Sequence, residues 1–277
     1  MTAAELVGRD VGPYRLERLL GEGALGLVFG ATRGDELVAL KVLRPEYAAD
    51  SAALARFRRE AQVARGIDSR HVVPIVEVGR AGGLVFLELP YYEGGSLAQR
   101  LQKRGPLAVD ETIDLAAGLG RGLDELHRRD IVHRDIKPSN VLLDSEGVAA
   151  LSDFGLARSP DSTRLTAEGQ IVGTPHYLAP ELIEGREATV ASDVYALGCV
   201  LYECLSGSPP FAGRGAAAIG FAHLTEEPPD PRTLRPEISA GLAEAVLLAL
   251  EKDPASRPTS GTALARLVHA GRSASPV

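Results

Sequence analysis

The first third of the chain alternates apolar and polar positions, and most of the remainder does not. Tyr14 to Leu20 alternates weakly and ends at a glycine cluster, Gly21 to Phe29 (GEGALGLVF), and an apolar run then restarts from Val28 to Ala31. Glu36 to Leu43 alternates around Lys41, with Val38, Leu40 and Val42 on one face and Ala39, Lys41 and Leu43 on the other. Val72 to Val78 and Leu84 to Leu89 predict two more strands joined by a turn over Arg80 to Gly83. Asp50 and Ser51 are caps for a helix running to about Arg65, in which Glu60 is the only acid among Arg56, Arg58, Arg59 and Arg65. Beyond Ser96 the period becomes helical. Ile113, Ala116, Leu119, Gly120, Leu123 and Leu126 form one stripe of a helix over Asp110 to Arg129, where Gly118, Gly120 and Gly122 weaken propensity but permit close packing. Ser192 to Ser206 is nearly free of charge and predicts a buried helix. Further helices are predicted near Ala240 to Lys252 and from Gly261 to about Val268. The fold class is therefore α+β: a five-stranded antiparallel sheet with one helix, then a mainly helical part, divided as an extension (1–13), a sheet lobe (14–89), a connector (90–95), a helical lobe (96–270) and a tail (271–277).

Composition narrows the partners. The chain has 277 residues, 45% hydrophobic and 24% charged, with a net charge of −7. That excess of acid argues against nucleic acid as the main partner, since a phosphate backbone wants a basic face. Cys199 and Cys204 are the only cysteines and form neither a disulfide framework nor a zinc pattern. No stretch approaches the ~18–20 apolar residues of a membrane span, and the first twelve residues, with Glu5, Arg9 and Asp10, contain no signal-peptide apolar region. The expectation is a cytoplasmic chain, or the cytoplasmic domain of a membrane receptor whose span lies outside it.

The candidate chemistry sits in one short stretch. His133 to Asn140 (HRDIKPSN) brings a carboxylate, an ammonium and an amide together as Asp135, Lys137 and Asn140, and Pro138 argues against a regular helix there. It is a loop mounted between a helical pattern and the apolar run Val141 to Leu143, where catalytic groups are commonly carried. Alone it could be a polar turn. Asp153-Phe154-Gly155 follows at the end of a second short strand, Ala149 to Leu151, and makes that bland alternative weak. His133 reads as a packing group, because no second histidine stands at ligand spacing, and so does Phe154.

This order of motifs resembles the eukaryotic-like protein kinases, and the catalytic loop is similar to that of the serine/threonine branch, including its bacterial members, from about Tyr14 to about Val268. The resemblance implies a bilobal kinase fold that transfers the γ-phosphate of ATP to protein hydroxyls, with Mg2+, or Mn2+ in its place, as the metal. It assigns Asp135 to the substrate hydroxyl proton, Lys137 to the γ-phosphate, Lys41 to the α and β phosphates, and Glu60 to holding Lys41. Asn140 and Asp153 hold the metal. Gly21, Glu22, Gly23, Ala24 and Gly26 form a lid over the triphosphate. Val28, Ala39, Leu89, Tyr91 and Leu142 line the adenine. Thr174 shapes the acceptor site, Asp193 anchors the catalytic-loop backbone, and Arg257 pairs with Glu181. Arg134 receives a phosphate from the polar segment after Asp153, with Thr166 the first candidate and Thr163 the second; Glu168 stands where bacterial relatives often carry another threonine. Pro90 replaces a commoner glutamate, and Glu88 replaces a usual apolar residue, a departure the sequence leaves without explanation. Partners implied are protein substrates and a homodimer through the N-terminal lobe.

Two other readings compete. A pseudokinase or ATP-binding signalling scaffold would ordinarily lose the lysine, the catalytic aspartate or the metal aspartate, and Lys41, Asp135, Asn140 and Asp153 are all present. A small-molecule phosphotransferase on a kinase-like fold is disfavoured by Thr174, by Ala179-Pro180-Glu181 and by Arg257.

Overall fold

Two compact units, Met1–Glu93 and Gly94–Val277, make up the chain. The computed structural model describes residues 2–23, 26–44, 47, 50, 54, 55, 57, 66–154 and 175–272.

In the first unit a short helix, α1 (Ala3–Leu6), precedes strands β1 (Asp10–Val11), β2 (Tyr14–Glu22), β3 (Gly26–Arg33), β4 (Glu36–Leu43), β5 (Glu77–Ala81) and β6 (Leu84–Pro90). These make one antiparallel sheet of six strands in the order β1-β2-β3-β4-β6-β5. The expected count was five. The sixth, β1, has only two residues and falls in the segment read as an extension, too short to show a period. That segment is core: Leu6 and Val11 are buried with Tyr14, Leu16, Phe29, Leu40 and Phe86. The predicted strand over Val72 to Val78 also shifts. Its regular part is β5, and the turn narrows to Gly82 and Gly83, both with positive φ. The helical residues described between β4 and β5 are Leu54, Ala55 and Phe57.

Register sorts the sheet into two faces, because residues directly opposite on antiparallel strands share a side. Val28 faces Lys41 and Gly30 faces Ala39; Ala39 in turn faces Leu89, and Lys41 faces Leu87. On the other side Phe29 faces Leu40, and Leu40 faces Glu88. Glu88 is therefore a carboxylate inside the core, only 1% exposed. It is fully partnered. Arg33 Nη1 lies 2.9 Å from Oε1, and Tyr14 Oη donates to Oε2 at 2.7 Å. Arg33 also reaches Glu36 at 2.7 Å. Tyr14 Oη also lies 3.0 Å from Glu77 Oε2, and burial together with the Glu88 and Glu77 carboxylates pushes its hydroxyl well above the ordinary pKa, so it stays a donor. An apolar residue at this position would need none of this; here a tyrosine from β2 and an arginine from β3, neither strand adjacent to β6, carry the charge.

The second unit opens with β7 (Gly95–Ser96), α2 (Leu97–Arg104) and α3 (Val109–His127). Then come the short strands β8 (Val141–Leu143) and β9 (Ala149–Leu151), and β7, β8 and β9 form a three-stranded sheet. Helices α4 (Pro180–Ile183), α5 (Val190–Ser206), α6 (Ala216–Thr225), α7 (Ala240–Ala249) and α8 (Gly261–Gly271) follow. Ser96 caps α2 by accepting from Gln99 N at 3.2 Å, while Gln99 Oε1 accepts from Ser96 N at 3.0 Å, a reciprocal box. α5 is buried almost throughout, as its lack of charge predicts.

Close packing in this unit depends on glycine. A Cβ at Gly120 would lie 2.6 Å from the carbonyl oxygen of Gly261, and one at Gly261 would lie 2.8 Å from the carbonyl of Gly120. Asp124, one turn along α3, then caps α8 by accepting from Gly261 N at 2.8 Å and Thr262 N at 3.2 Å. α4 is secured differently. Arg257 and Glu181 form a buried bidentate pair at 2.8 Å for both bonds. Arg257 also donates to the carbonyls of Ala191, Glu251 and Lys252, so all five guanidinium N–H groups have acceptors. Its plane lies over the Tyr195 ring at 4.8 Å.

Two stability experiments follow from this packing. Gly120→Ala would stabilise an ordinary helix by roughly 1 kcal/mol; here urea denaturation is expected to show a loss of about 1–3 kcal/mol from overpacking, and a gain would refute the close approach. Arg257→Lys keeps the charge but not the fork, and leaves Glu181 and three carbonyls short of donors. It is expected to cost about 3–5 kcal/mol, and an unfolding midpoint equal to wild type would show that the pair contributes nothing.

Candidate active site

The second unit brings the chemical groups of HRDIKPSN together on an irregular loop between α3 and β8. α3 ends at His127. The chain then passes through two non-glycine residues of positive φ, Asp130 (57°) and Arg134 (69°). Such a conformation costs an L-residue free energy and survives only where the surroundings enforce it. At Arg134 the enforcing group is Asp193, buried near the start of α5. Its Oδ2 accepts from His133 N at 2.7 Å, and its Oδ1 accepts from Arg134 N at 2.9 Å. His127 Nε2 reaches the same Oδ2 at 2.8 Å. The negative charge sits in the first turn of a helix, where the exposed N–H groups favour it.

Past Arg134 the loop folds back on Asp135. Pro138 opens a 3-10 turn over Pro138–Asn140, a position suited to a residue without an N–H. The turn carries Asn140 under Asp135, and Asn140 Nδ2 donates to the Asp135 carbonyl at 2.8 Å and to Asp135 Oδ2 at 3.0 Å. Lys137 Nζ donates to the same Oδ2 at 3.0 Å. Asp135 is thus oriented by an amide and an ammonium on one oxygen. Because the nitrogen of Asn140 is spent on two acceptors, its Oδ1, which accepts only a long bond from Ser139 Oγ at 3.5 Å, is the atom that would serve a cation. His133 is buried, its Nδ1 lies 3.4 Å from Asp135 N, and burial lowers its pKa, so it stays neutral and packs edge-on against Phe154 with ring centroids 6.2 Å apart.

β8 pairs with β9, which delivers Ser152 and Asp153 beside Asn140. Ser152 N and Ser152 Oγ both donate to the Asn140 carbonyl, at 2.8 and 3.1 Å. Asp153 then leaves the ladder with φ 56°. Leu142 is half-buried between two buried neighbours, so its side chain faces away from theirs. A carboxylate and an amide oxygen suit a hard divalent cation. Among the described residues no group of three His, Cys, Asp or Glu could cage a metal, so the donor set fits an ion shared with phosphate oxygens and water rather than one held by protein alone.

In the first unit strands flank the glycine cluster on both sides, with β2 ending at Glu22 and β3 starting at Gly26. Gly23 N donates to the Gly26 carbonyl at 2.8 Å. A Cβ at Gly26 would lie 3.0 Å from the Val42 carbonyl and 3.5 Å from Lys41 Cγ, so glycine is what lets β3 begin this close to β4 beside the lysine. Val28, Ala39, Lys41 and Leu89 share the face opposite the core. Tyr91 follows β6 and accepts a hydrogen bond from Arg18, whose guanidinium also stacks over its ring at 5.8 Å. Glu60, Ala24, Gly155, Thr163, Thr166, Glu168 and Thr174 lie outside the described residues.

Pro175–Tyr177, just after Thr174, forms a 3-10 turn fastened from below. Tyr177 Oη donates to Glu203 Oε2 at 2.6 Å. Burial raises the Glu203 pKa, which the tyrosine bond only partly opposes.

Four supporting residues escaped the sequence reading. Arg44 donates to the Gly23 carbonyl at 3.1 Å and pairs with Glu22 at 3.0 Å, bracing the glycine turn. His127 and Ser152 brace the loop as described, and Leu20 lies beside Gly30 on the Val28 face. Adjacency to a motif was the only available signal, and it marks Ser152, Leu20 and Arg44 but not His127.

The chain is similar to known proteins over most of its length. The protein kinase domain model matches residues 14–268. The chain is 40% identical over 275 residues to the serine/threonine-protein kinase PknA of Corynebacterium glutamicum, covering 97% of this chain and 57% of that protein. It is 38% identical over 270 residues to PknD of Mycobacterium tuberculosis, covering 96% and 41% respectively. The chain thus spans about half the length of the curated relatives it matches. Among solved structures, the Mycobacterium tuberculosis PknI kinase domain superposes with a TM-score of 0.71 at 29% identity, over 96% of this chain and 98% of that one. With that match extending from residue 14 to residue 268, over the loop that holds Asp135, Lys137 and Asn140, the chain belongs to the protein kinase family.

Proposed function

We propose that this chain is a serine/threonine protein kinase that moves the γ-phosphate of ATP to the hydroxyl of a protein side chain, with Mg2+ as the metal. The observation that carries the reading is Asp135, a carboxylate held through one oxygen by Lys137 and Asn140. In the reaction the acceptor oxygen bonds to the γ-phosphorus as the bond to the β–γ bridging oxygen breaks, and ADP leaves with that electron pair. Asp135 orients the acceptor hydroxyl and takes its proton. Lys137 stays beside it as a cation for the transferring group, and Lys41, by its motif, positions the α and β phosphates. Asn140 Oδ1 and the Asp153 carboxylate would hold the metal, which when bound neutralises phosphate charge.

The serine/threonine assignment rests on Lys137 and on the relatives named above. The acceptor is a protein rather than a small molecule because of the Ala179-Pro180-Glu181 segment with its Arg257 anchor. Among the described residues no helix is long and apolar enough to cross a membrane. A longer protein with a span elsewhere would carry this chain as its cytoplasmic catalytic part. Regulation by autophosphorylation of Thr166, read by Arg134, belongs to the same proposal.

Asp135→Asn is expected to lower transfer of label from radioactive ATP to a generic basic protein by roughly 10²–10⁴-fold, while ATP binding and the melting temperature stay close to wild type. Undiminished transfer would refute the assignment, and nucleotide binding without any transfer in the wild-type chain would favour the scaffold alternative. Mass spectrometry after incubation with ATP and Mg2+ is expected to find phosphate on Thr166; a fully active sample with Thr166 unmodified would end that part of the reading.

A further inference from the structure

Ser152 is the last residue before the candidate metal aspartate, and it is buried, at 7% exposure. A buried hydroxyl needs a partner. This one takes the Asn140 carbonyl at 3.1 Å, an oxygen that its own backbone N–H already occupies at 2.8 Å. The doubling falls where the ladder between β8 and β9 runs out. Val141 and Leu151 are the final registered pair, and the Ser152 N–H to Asn140 bond is one rung beyond it. Immediately afterwards Asp153 adopts φ 56°, so the chain leaves the sheet in a strained turn. A terminal rung next to a strained turn frays readily unless something secures it.

The other end of the connection is Asn140. Its main-chain carbonyl is gripped by Ser152, and its side-chain amide is gripped by the Asp135 carbonyl and carboxylate at 2.8 and 3.0 Å. The two side chains assigned to the cation, Asn140 through Oδ1 and Asp153 through its carboxylate, belong to residues joined across this one rung. We infer that Ser152 is a positioning residue for the metal. Its hydroxyl locks the end of the β8–β9 ladder and so sets the spacing between the Asn140 amide oxygen and the Asp153 carboxylate. This rests on the phosphoryl-transfer reading above and goes beyond it, because Ser152 touches neither the reacting atoms nor the ion. It acts through the backbone of Asn140, and a threonine, which keeps the hydroxyl, does the same work, whereas alanine does not.

The test is direct measurement of metal uptake without turnover. Mn2+ binding to the whole chain is followed by electron paramagnetic resonance in the presence of a non-hydrolysable ATP analogue, for wild type, Ser152→Ala and Ser152→Thr. Binding of the analogue without metal and the melting temperature are measured alongside. Ser152→Ala is expected to weaken Mn2+ binding about three- to tenfold, the scale of one hydrogen bond, with metal-free analogue affinity unchanged and Ser152→Thr close to wild type. If Ser152→Ala lowers only the melting temperature and leaves Mn2+ affinity intact, the hydroxyl serves stability alone and the inference is overturned. Equal weakening in the threonine variant overturns it too. Wild-type chain that takes up no Mn2+ with the analogue would overturn the phosphoryl-transfer reading itself, and this inference with it.

Discussion

One buried carboxylate holds the catalytic loop in shape. Asp193 takes two consecutive backbone N–H groups and an imidazole on its two oxygens, and each bond is between 2.7 and 2.9 Å. A charge buried at 1% exposure is tolerable only with such a complement of donors. The donors in turn are not free to choose another conformation. Arg134 sits at φ 69° because the N–H groups of residues 133 and 134 must converge on one acceptor. Asp135, the next residue, inherits its direction from that convergence. The loop is irregular, yet it hangs from a helix that is among the most buried in the chain, so its geometry carries the rigidity of the core beneath it.

The same logic of charge inside apolar packing recurs at two more places. Arg257 and Glu181 fasten the short α4 helix with every guanidinium donor used. Glu88 lies among the core residues of the first unit, with Tyr14 and Arg33 as partners. In all three cases an isolated charge would be prohibitive, and what makes it acceptable is the number of donors arriving from separate segments. Each buried charge therefore ties together stretches far apart in the chain: 33 with 88, 181 with 257, and 133 with 193.

Much of this was legible in the order of residues, for identifiable reasons. Strands with a clean alternation, such as β4 around Lys41, declare their two faces, and the register agrees residue by residue. The loop HRDIKPSN was legible because three kinds of polar group crowd into a few positions around a proline. Gly120 was legible as a packing residue because a glycine in a helix stripe is otherwise a loss. What failed to show is equally specific. β1 has two residues and no period. β5 was displaced because its burial does not alternate, and Gly79 there lies so close to Phe86 that a Cβ would meet the ring at 2.1 Å. Glu88 looked anomalous because its partners, Tyr14 and Arg33, are more than fifty positions away, and no local pattern encodes a pairing of that range. His127 and Ser152 carry ordinary residue types whose bonds exist only once α5 and β9 are in place.

The strand order of the first unit's sheet has a consequence for its rims. An open sheet exposes unpaired N–H and C=O groups along both outermost strands, which invites another chain to add on. Here one outermost strand is β1, two residues long, and the other is β5. Gly12, just past β1 and at φ 61°, comes so near the end of β5 that a Cβ on it would lie 3.2 Å from that of Ala81. At that corner the two borders approach one another, and the helix-and-strand leader ahead of Tyr14 hems the last residue of β5, which leaves that end of the edge less open to an added strand.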